Sequence, residues 1–183
     1  MSYYFVRVAG STGHNNPNDA SSFVEKEPPA FPDKKFNYYE YCLKNNFVRI
    51  GWLDVGDLKK GGKSGALAQA YSLDTLKPHI RKYLLDFSHI SLGDIILMPD
   101  KGTPGHLYIG EVVGPYEYYH DIPRVPYECA HRLAVNWDKD DSGGPRLYLA
   151  SNLKIGIMGG WWLRAFHEIK ASEMIKEIDC ARN

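Results

Sequence analysis

Three stretches of the chain carry residue types that could do chemistry. Asp57-Leu58-Lys59-Lys60-Gly61-Gly62-Lys63-Ser64 ends like a phosphate-binding P-loop. That motif needs a glycine five positions before its Gly-Lys-Ser, so that backbone N–H groups can cradle phosphates. Asp57 holds that position, and a carboxylate there repels a triphosphate; a mobile basic loop or a phosphate-backbone contact fits better. Pro99-Asp100 followed by Glu111-Val112-Val113 has the outline of a metal-dependent nuclease. Val113 replaces the lysine that would polarise the scissile phosphate, so the set cannot both hold a metal and activate water. His120, Cys129 and His131 offer zinc-ligand types, but Cys-x-His is poor spacing and no fourth ligand presents itself. One buried thiol and two surface imidazoles is the simpler reading. No Gly-x-Ser-x-Gly elbow occurs, and Cys42 reads as a core thiol. The expectation is a non-catalytic protein with no cofactor.

Composition narrows the class. The 183 residues suit one domain, 1–183, able to bury a core without staples. Lys plus Arg number 22 and Asp plus Glu 22, so a chain that grips nucleic acid by charge alone is excluded. Any such role needs a local patch or pocket. Aromatics make up 13%, with 13 tyrosines, a composition that serves recognition surfaces as well as cores. No apolar run reaches the ~20 residues of a membrane span. The N-terminus shows no basic region leading into an apolar stretch, and three cysteines suit free thiols in a reducing cytosol.

The elements that must position these residues alternate. Residues 3–9 read as a strand, and 10–35 as a Pro-rich loop or insertion. Phe36, Tyr39, Leu43 and Asn46 have helical spacing. Phe47–Ile50 reads as a strand. Leu73, Leu76, Ile80, Tyr83, Leu84 and Phe87 form one apolar stripe of a helix, with Pro78 near its start. Asp94–Pro99 and Leu107–Val113 pair across the turn at 100–105. His131–Trp137 alternates polar and apolar. Residues 138–145 form an exposed turn and 146–169 are ambiguous. Ser172 is placed to cap a last helix carrying Met174, Ile175 and Ile178. Adjacent Trp161 and Trp162 would face opposite sides of a strand. The fold class is α+β, with a strongly bent, mostly antiparallel sheet or a small barrel flanked by helices.

Four blocks then recur in order: Gly51-Trp52-Leu53-Asp54-Val55-Gly56-Asp57-Leu58, Gly93-Asp94-Ile95-Ile96-Leu97-Met98-Pro99, Gly110-Glu111-Val112-Val113-Gly114-Pro115-Tyr116-Glu117-Tyr118, and Val135-Asn136-Trp137. Over residues 47–137 this order resembles the PUA-like superfamily, specifically EVE and EVE-like domains. Such domains form the N-terminal module of McrB- and Mrr-type restriction proteins; eukaryotic YTH domains are similar in the third and fourth blocks. The resemblance implies a PUA-like bent sheet and non-catalytic reading of a modified, in the first instance methylated, DNA base in a restriction or defence context. An RNA-binding module for structured or modified RNA is the alternative it leaves open. A flipped base recovers its lost stacking on aromatic faces, worth ~1–3 kcal/mol per base. By position, the resemblance assigns a base pocket to Trp52, Tyr116, Tyr118, Ser11, Thr12 and Asp57. Each has a plainer alternative: a core indole, core rings, a simple turn, and for Asp57 a turn or N-cap residue. Phosphate contacts fall to Arg49, Lys59, Lys60, Lys63 and, more loosely, Arg164, each of which ordinary solvated surface would equally explain. Related restriction proteins carry a GTPase or nuclease domain, so such a domain or subunit is the implied partner, with no membrane.

Overall fold

The computed structural model describes residues 1–8, 38–50, 56–60, 78–100, 102–119, 131–155 and 166–183. Seven strands and three helices follow in order: β1 (Tyr3–Val6), α1 (Tyr38–Lys44), β2 (Phe47–Ile50), α2 (Pro78–Ser88), β3 (Ile95–Pro99), β4 (His106–Tyr118), β5 (His131–Trp137), β6 (Leu147–Leu149), β7 (Phe166–Ile169) and α3 (Ser172–Arg182). The strand order across the sheet is β2-β5-β4-β3-β1-β7. β6 takes the edge of β4 at His106–Tyr108, before β5 begins to pair at Gly110. Every pairing is antiparallel except that of β1 with β3.

The middle strands read as unbroken apolar runs because both faces are covered. Ile96 and Met98 of β3 join Val6, Leu84, Phe87, Val112 and Leu133 in a core under α1 and α2. Ile95 and Leu97 point the other way, to Tyr3, Phe5, Leu107 and Ile109, against Met174 and Ile178 of α3. Met174 and Ile178 are four apart and so share one helical face. The N-cap of α3 is Ala171, with no side-chain cap bond, so Ser172 begins the helix rather than capping it. The sheet curls enough to bring residues of β1 and β2 within 8 Å between Cα atoms, yet among the described residues it does not close. A bent α+β sheet is therefore correct and a closed barrel is not: among the described residues β2 and β7 remain as edges. No described helix is long and apolar enough to cross a membrane.

The Gly93-Asp94 block is a corner. Gly93 adopts φ +82°, a region that disfavours side chains. The buried Asp94 carboxylate then accepts the N–H of Ser2 at 2.7 Å and of Ser91 at 2.9 Å. Ile95 N–H donates to the Ser2 carbonyl, which sets β1 beside β3. Gly110 faces Trp137 across the β4–β5 ladder. A Cβ on Gly110 would lie 2.5 Å from Val135 Cγ1, 2.8 Å from the Asn136 carbonyl oxygen and 2.9 Å from Trp137 Cε3.

Gly110→Ala is expected to destabilise the fold by ~1–3 kcal/mol, because backbone and indole must both shift; urea unfolding measures it, and an unchanged midpoint would contradict the packing. A second expectation concerns alkali. Burial first, and then the hydrogen bond to the Asp138 carboxylate, push the Tyr148 phenol up from 10.0 to about 12. Burial and then the bond to Asp179 do the same for Tyr3, again to about 12. The folded state thus holds these protons more tightly than the unfolded chain. Their contribution to stability is full below pH 10 and is lost as pH rises through about 12. Tyr148→Phe should flatten the fall of thermal stability across that window relative to wild type.

Candidate nucleic-acid interface

The far end of the β4–β5 ladder gathers most of the described aromatic candidates. The ladder slips by two residues between Val112 and Tyr116, at Gly114-Pro115, and then resumes with Tyr116 opposite Leu133, Glu117 opposite Arg132 and Tyr118 opposite His131. Alternation puts Tyr116 and Tyr118 on one face, as their spacing predicts. Their settings differ. Tyr116 is 5% exposed, edge-on to Phe87 and stacked on His131 at 6.0 Å between centroids. Its hydroxyl accepts the Leu58 N–H at 3.2 Å and lies 2.7 Å from His131 Nδ1. Burial holds this phenol well above the ordinary range, so it stays protonated and can donate to Nδ1. Tyr118 is half-buried, its ring 5.2 Å from His131 and tilted by 45°.

His131 is fully buried, not the surface imidazole that the sequence reading expects. The reason is its place in β5: His131, Leu133, Val135 and Trp137 are the alternate positions of one strand, and His131 brings its own hydroxyl partner in Tyr116. That period-two pattern is the signal that could have found it.

The cations divide. Leu58–Lys60 form a short 3-10 turn with both lysines exposed. Lys59 Nζ lies 5.7 Å from the Tyr116 ring centroid, within reach of a cation–π contact. The Asp57 carboxylate accepts the Lys59 N–H at 3.0 Å and sits 3.7 Å from Lys60 Nζ, which is the work of a turn residue. Arg49 is 1% exposed, in a strand whose four residues are all buried, so its guanidinium lies inside the fold and not on a phosphate-facing surface. It pairs in register with Arg132, which the sequence reading passed over. Arg132 lies over Phe47 at 4.6 Å and Tyr119 at 4.4 Å, and Tyr119 donates to Glu117 at 2.8 Å.

Ser11, Thr12, Trp52, Lys63, Arg164, Trp161, Trp162, His120 and Cys129 lie outside the described residues, as do the 10–35 segment and the end of the P-loop look-alike. Ile50, two positions before Trp52, pairs with His131. Of the nuclease outline, Asp100 caps its own turn by accepting the Thr103 N–H at 2.8 Å, and Glu111 is exposed opposite Asn136. Cys42 is fully buried, as a core thiol should be. Among the described residues no group of His, Cys, Asp or Glu is placed to hold a metal ion.

Tyr116→Phe strips the Leu58 N–H of its acceptor and His131 Nδ1 of the Tyr116 hydroxyl. The expected cost is ~1–3 kcal/mol of stability in denaturant, since both groups left behind are buried. Faster amide exchange at Leu58 should accompany it; unaltered exchange would mean that the hydroxyl does not hold the 58–60 turn.

None of the curated proteins matches the sequence. One family model does, over residues 32–154, a span that holds every described element from α1 to β6. The chain belongs to the family described as a domain of unknown function (DUF8426).

Proposed function

We propose that this protein is a non-catalytic nucleic-acid-binding module that takes a single modified base, in the first instance a methylated DNA base, at the β4–β5 end of its sheet. The observation that carries the reading is the gathering of rings beside a cation on one face there: half-buried Tyr118 against His131, and Lys59 over Tyr116. An extruded base needs stacking surfaces to replace its neighbours in the helix. Tyr118 supplies a half-buried ring at the strand end, and Trp52 is the second wall that the EVE-like resemblance assigns. Tyr116 serves behind them, its hydroxyl fixing both His131 and the 58–60 turn. Lys59 and Lys60, both exposed at this end of the sheet, are the cations nearest to these rings that could meet backbone phosphates, Lys60 lying 3.7 Å from the Asp57 carboxylate. The resemblance supports a PUA-like fold and a restriction or defence setting, in which any catalytic activity belongs to a GTPase or nuclease domain or subunit.

Binding to one short duplex carrying N6-methyladenine, 5-methylcytosine or no modification tests this, with wild type, Trp52→Ala and Tyr118→Ala side by side. Methyl-dependent binding weakened by each substitution by ~1–3 kcal/mol is the expected result. Binding indifferent to methylation, or unaffected by both substitutions, would sink the reading. A preference for structured RNA over every duplex would replace it with the RNA-binding alternative.

A further inference from the structure

His131 is fully buried in β5, with the Tyr116 hydroxyl 2.7 Å from Nδ1 and the Tyr118 ring 5.2 Å from its own. Its two ring nitrogens are therefore not equivalent. Which of them carries the proton is set by the bond that Nδ1 makes. A phenol oxygen has one proton to give and lone pairs with which to accept. The Leu58 N–H, 3.2 Å away, can only donate, so it takes an accepting position on Tyr116. Burial keeps that phenol protonated. Its proton needs an acceptor inside the fold, and His131 Nδ1 is the one that meets it. A proton on Nδ1 would instead aim two donors at one oxygen and leave the hydroxyl proton buried without an acceptor.

Both bonds then run one way, from the Leu58 N–H to the Tyr116 O–H to His131 Nδ1, and each polarises the other. The two ends of this chain face different parts of a bound nucleic acid on the proposed reading. Leu58 leads into Lys59 and Lys60, the exposed cations of the turn. The imidazole backs the half-buried Tyr118 ring. Tyr116 joins them, stacked on His131 and edge-on to Phe87, with Lys59 Nζ 5.7 Å from its ring centroid. Close packing leaves neither buried ring room to turn without the other.

We propose that His131 is a positioning residue: held neutral by Tyr116 with its proton on Nε2, it couples the lysine turn at 58–60 to the Tyr118 wall. A base stacked on Tyr118 then strengthens the hold of Lys59 on phosphate, and the reverse. The coupling rests on the base-reading function; the tautomer does not.

A long-range nitrogen–proton correlation spectrum of the full chain reads the tautomer directly, once sequential assignment has picked out His131 among seven histidines. Nδ1 should resonate as an unprotonated nitrogen and Nε2 as a protonated one. The reverse pattern, a mixture or a doubly protonated ring would overturn the proposal. Amide exchange measures the link to the turn. His131→Leu removes the acceptor and should speed exchange at Leu58 by about fivefold, the loss of one hydrogen bond, beyond any change at Ile96 in β3. His131→Asn, whose amide oxygen can stand in for Nδ1, should hold Leu58 near wild type. Exchange at Leu58 that merely follows Ile96 in both variants would sink the link. Binding to the methylated duplexes then separates coupling from reading. Lys59→Ala with Tyr118→Ala should lose less than the product of the single losses, by about threefold or more, and in the His131→Leu background the losses should multiply. Methyl-dependent binding with losses that multiply in the wild-type background would overturn the coupling and leave the reading standing. Absence of methyl-dependent binding would sink the reading and the coupling together, while the spectrum still decides the tautomer.

Discussion

The fold depends on how β1 is held. This strand has four residues, comes first in the chain, and lies between β3 and β7, strands more than ninety and one hundred and sixty positions away. Four residues of pairing are marginal on their own. The Asp94 carboxylate makes the insertion definite by accepting the Ser2 N–H from within a corner that Gly93 allows. Once β1 is in place its alternation feeds both cores, with Val6 on the α1–α2 side and Tyr3 and Phe5 on the α3 side. The Tyr3 hydroxyl then donates to Asp179, tying α3 to the same strand. A corner aspartate thereby joins the two ends of the chain.

β4 does the opposite work: it carries the chain out of the two-sided core. Leu107 and Ile109 are fully buried on the α3 side, but from Glu111 onward the odd positions, Val113, Pro115, Glu117 and Tyr119, are all exposed. The even positions stay covered or half-covered, and the two-residue slip at Gly114-Pro115 preserves their parity. Gly114 sits where a Cβ would meet Ala134 Cβ at 2.9 Å, so the close approach of β4 to β5 at the slip needs glycine. The result is a β4 end whose odd-numbered side chains stand in solvent while its even-numbered ones stay against the core.

That division explains what was legible in the sequence. β2 and β5 have the bounds their residues predict, because each is short, alternating or apolar, and flanked by turn residues. β4 runs five residues past Val113, through Gly114 and Pro115, because a bulge tolerates the two residues that otherwise announce a strand's end. β6 and β7 were hidden in an ambiguous stretch, since strands of three and four residues carry too few positions to show a period. At the candidate site, the shared face of Tyr116 and Tyr118 follows from their spacing alone. That Tyr116 is buried while Tyr118 is half-exposed does not, because it depends on Phe87 of α2 and the turn at Leu58, both distant in sequence. Arg49 shows the same limit: an arginine in a four-residue strand reads as solvated, and only the tertiary packing of β2 against β5 leaves it 1% exposed.

Charge decides where selectivity must reside. Each phosphate neutralised on B-DNA contributes about 0.9 to the salt slope of binding, so affinity from charge needs several accessible cations. The described end of the sheet offers few. Arg49 is buried, Arg132 is 9% exposed and held between two rings, and Lys60 lies beside Asp57. On the proposed reading, a chain of zero net charge with few available cations among the described residues at this end gains little from backbone contacts. Discrimination then falls to the shape and stacking of a pocket. Rings fixed by buried hydrogen bonds would suit that task on the proposed reading, because a wall already ordered by Tyr116, His131 and the Leu58 N–H would lose little further freedom on binding a base.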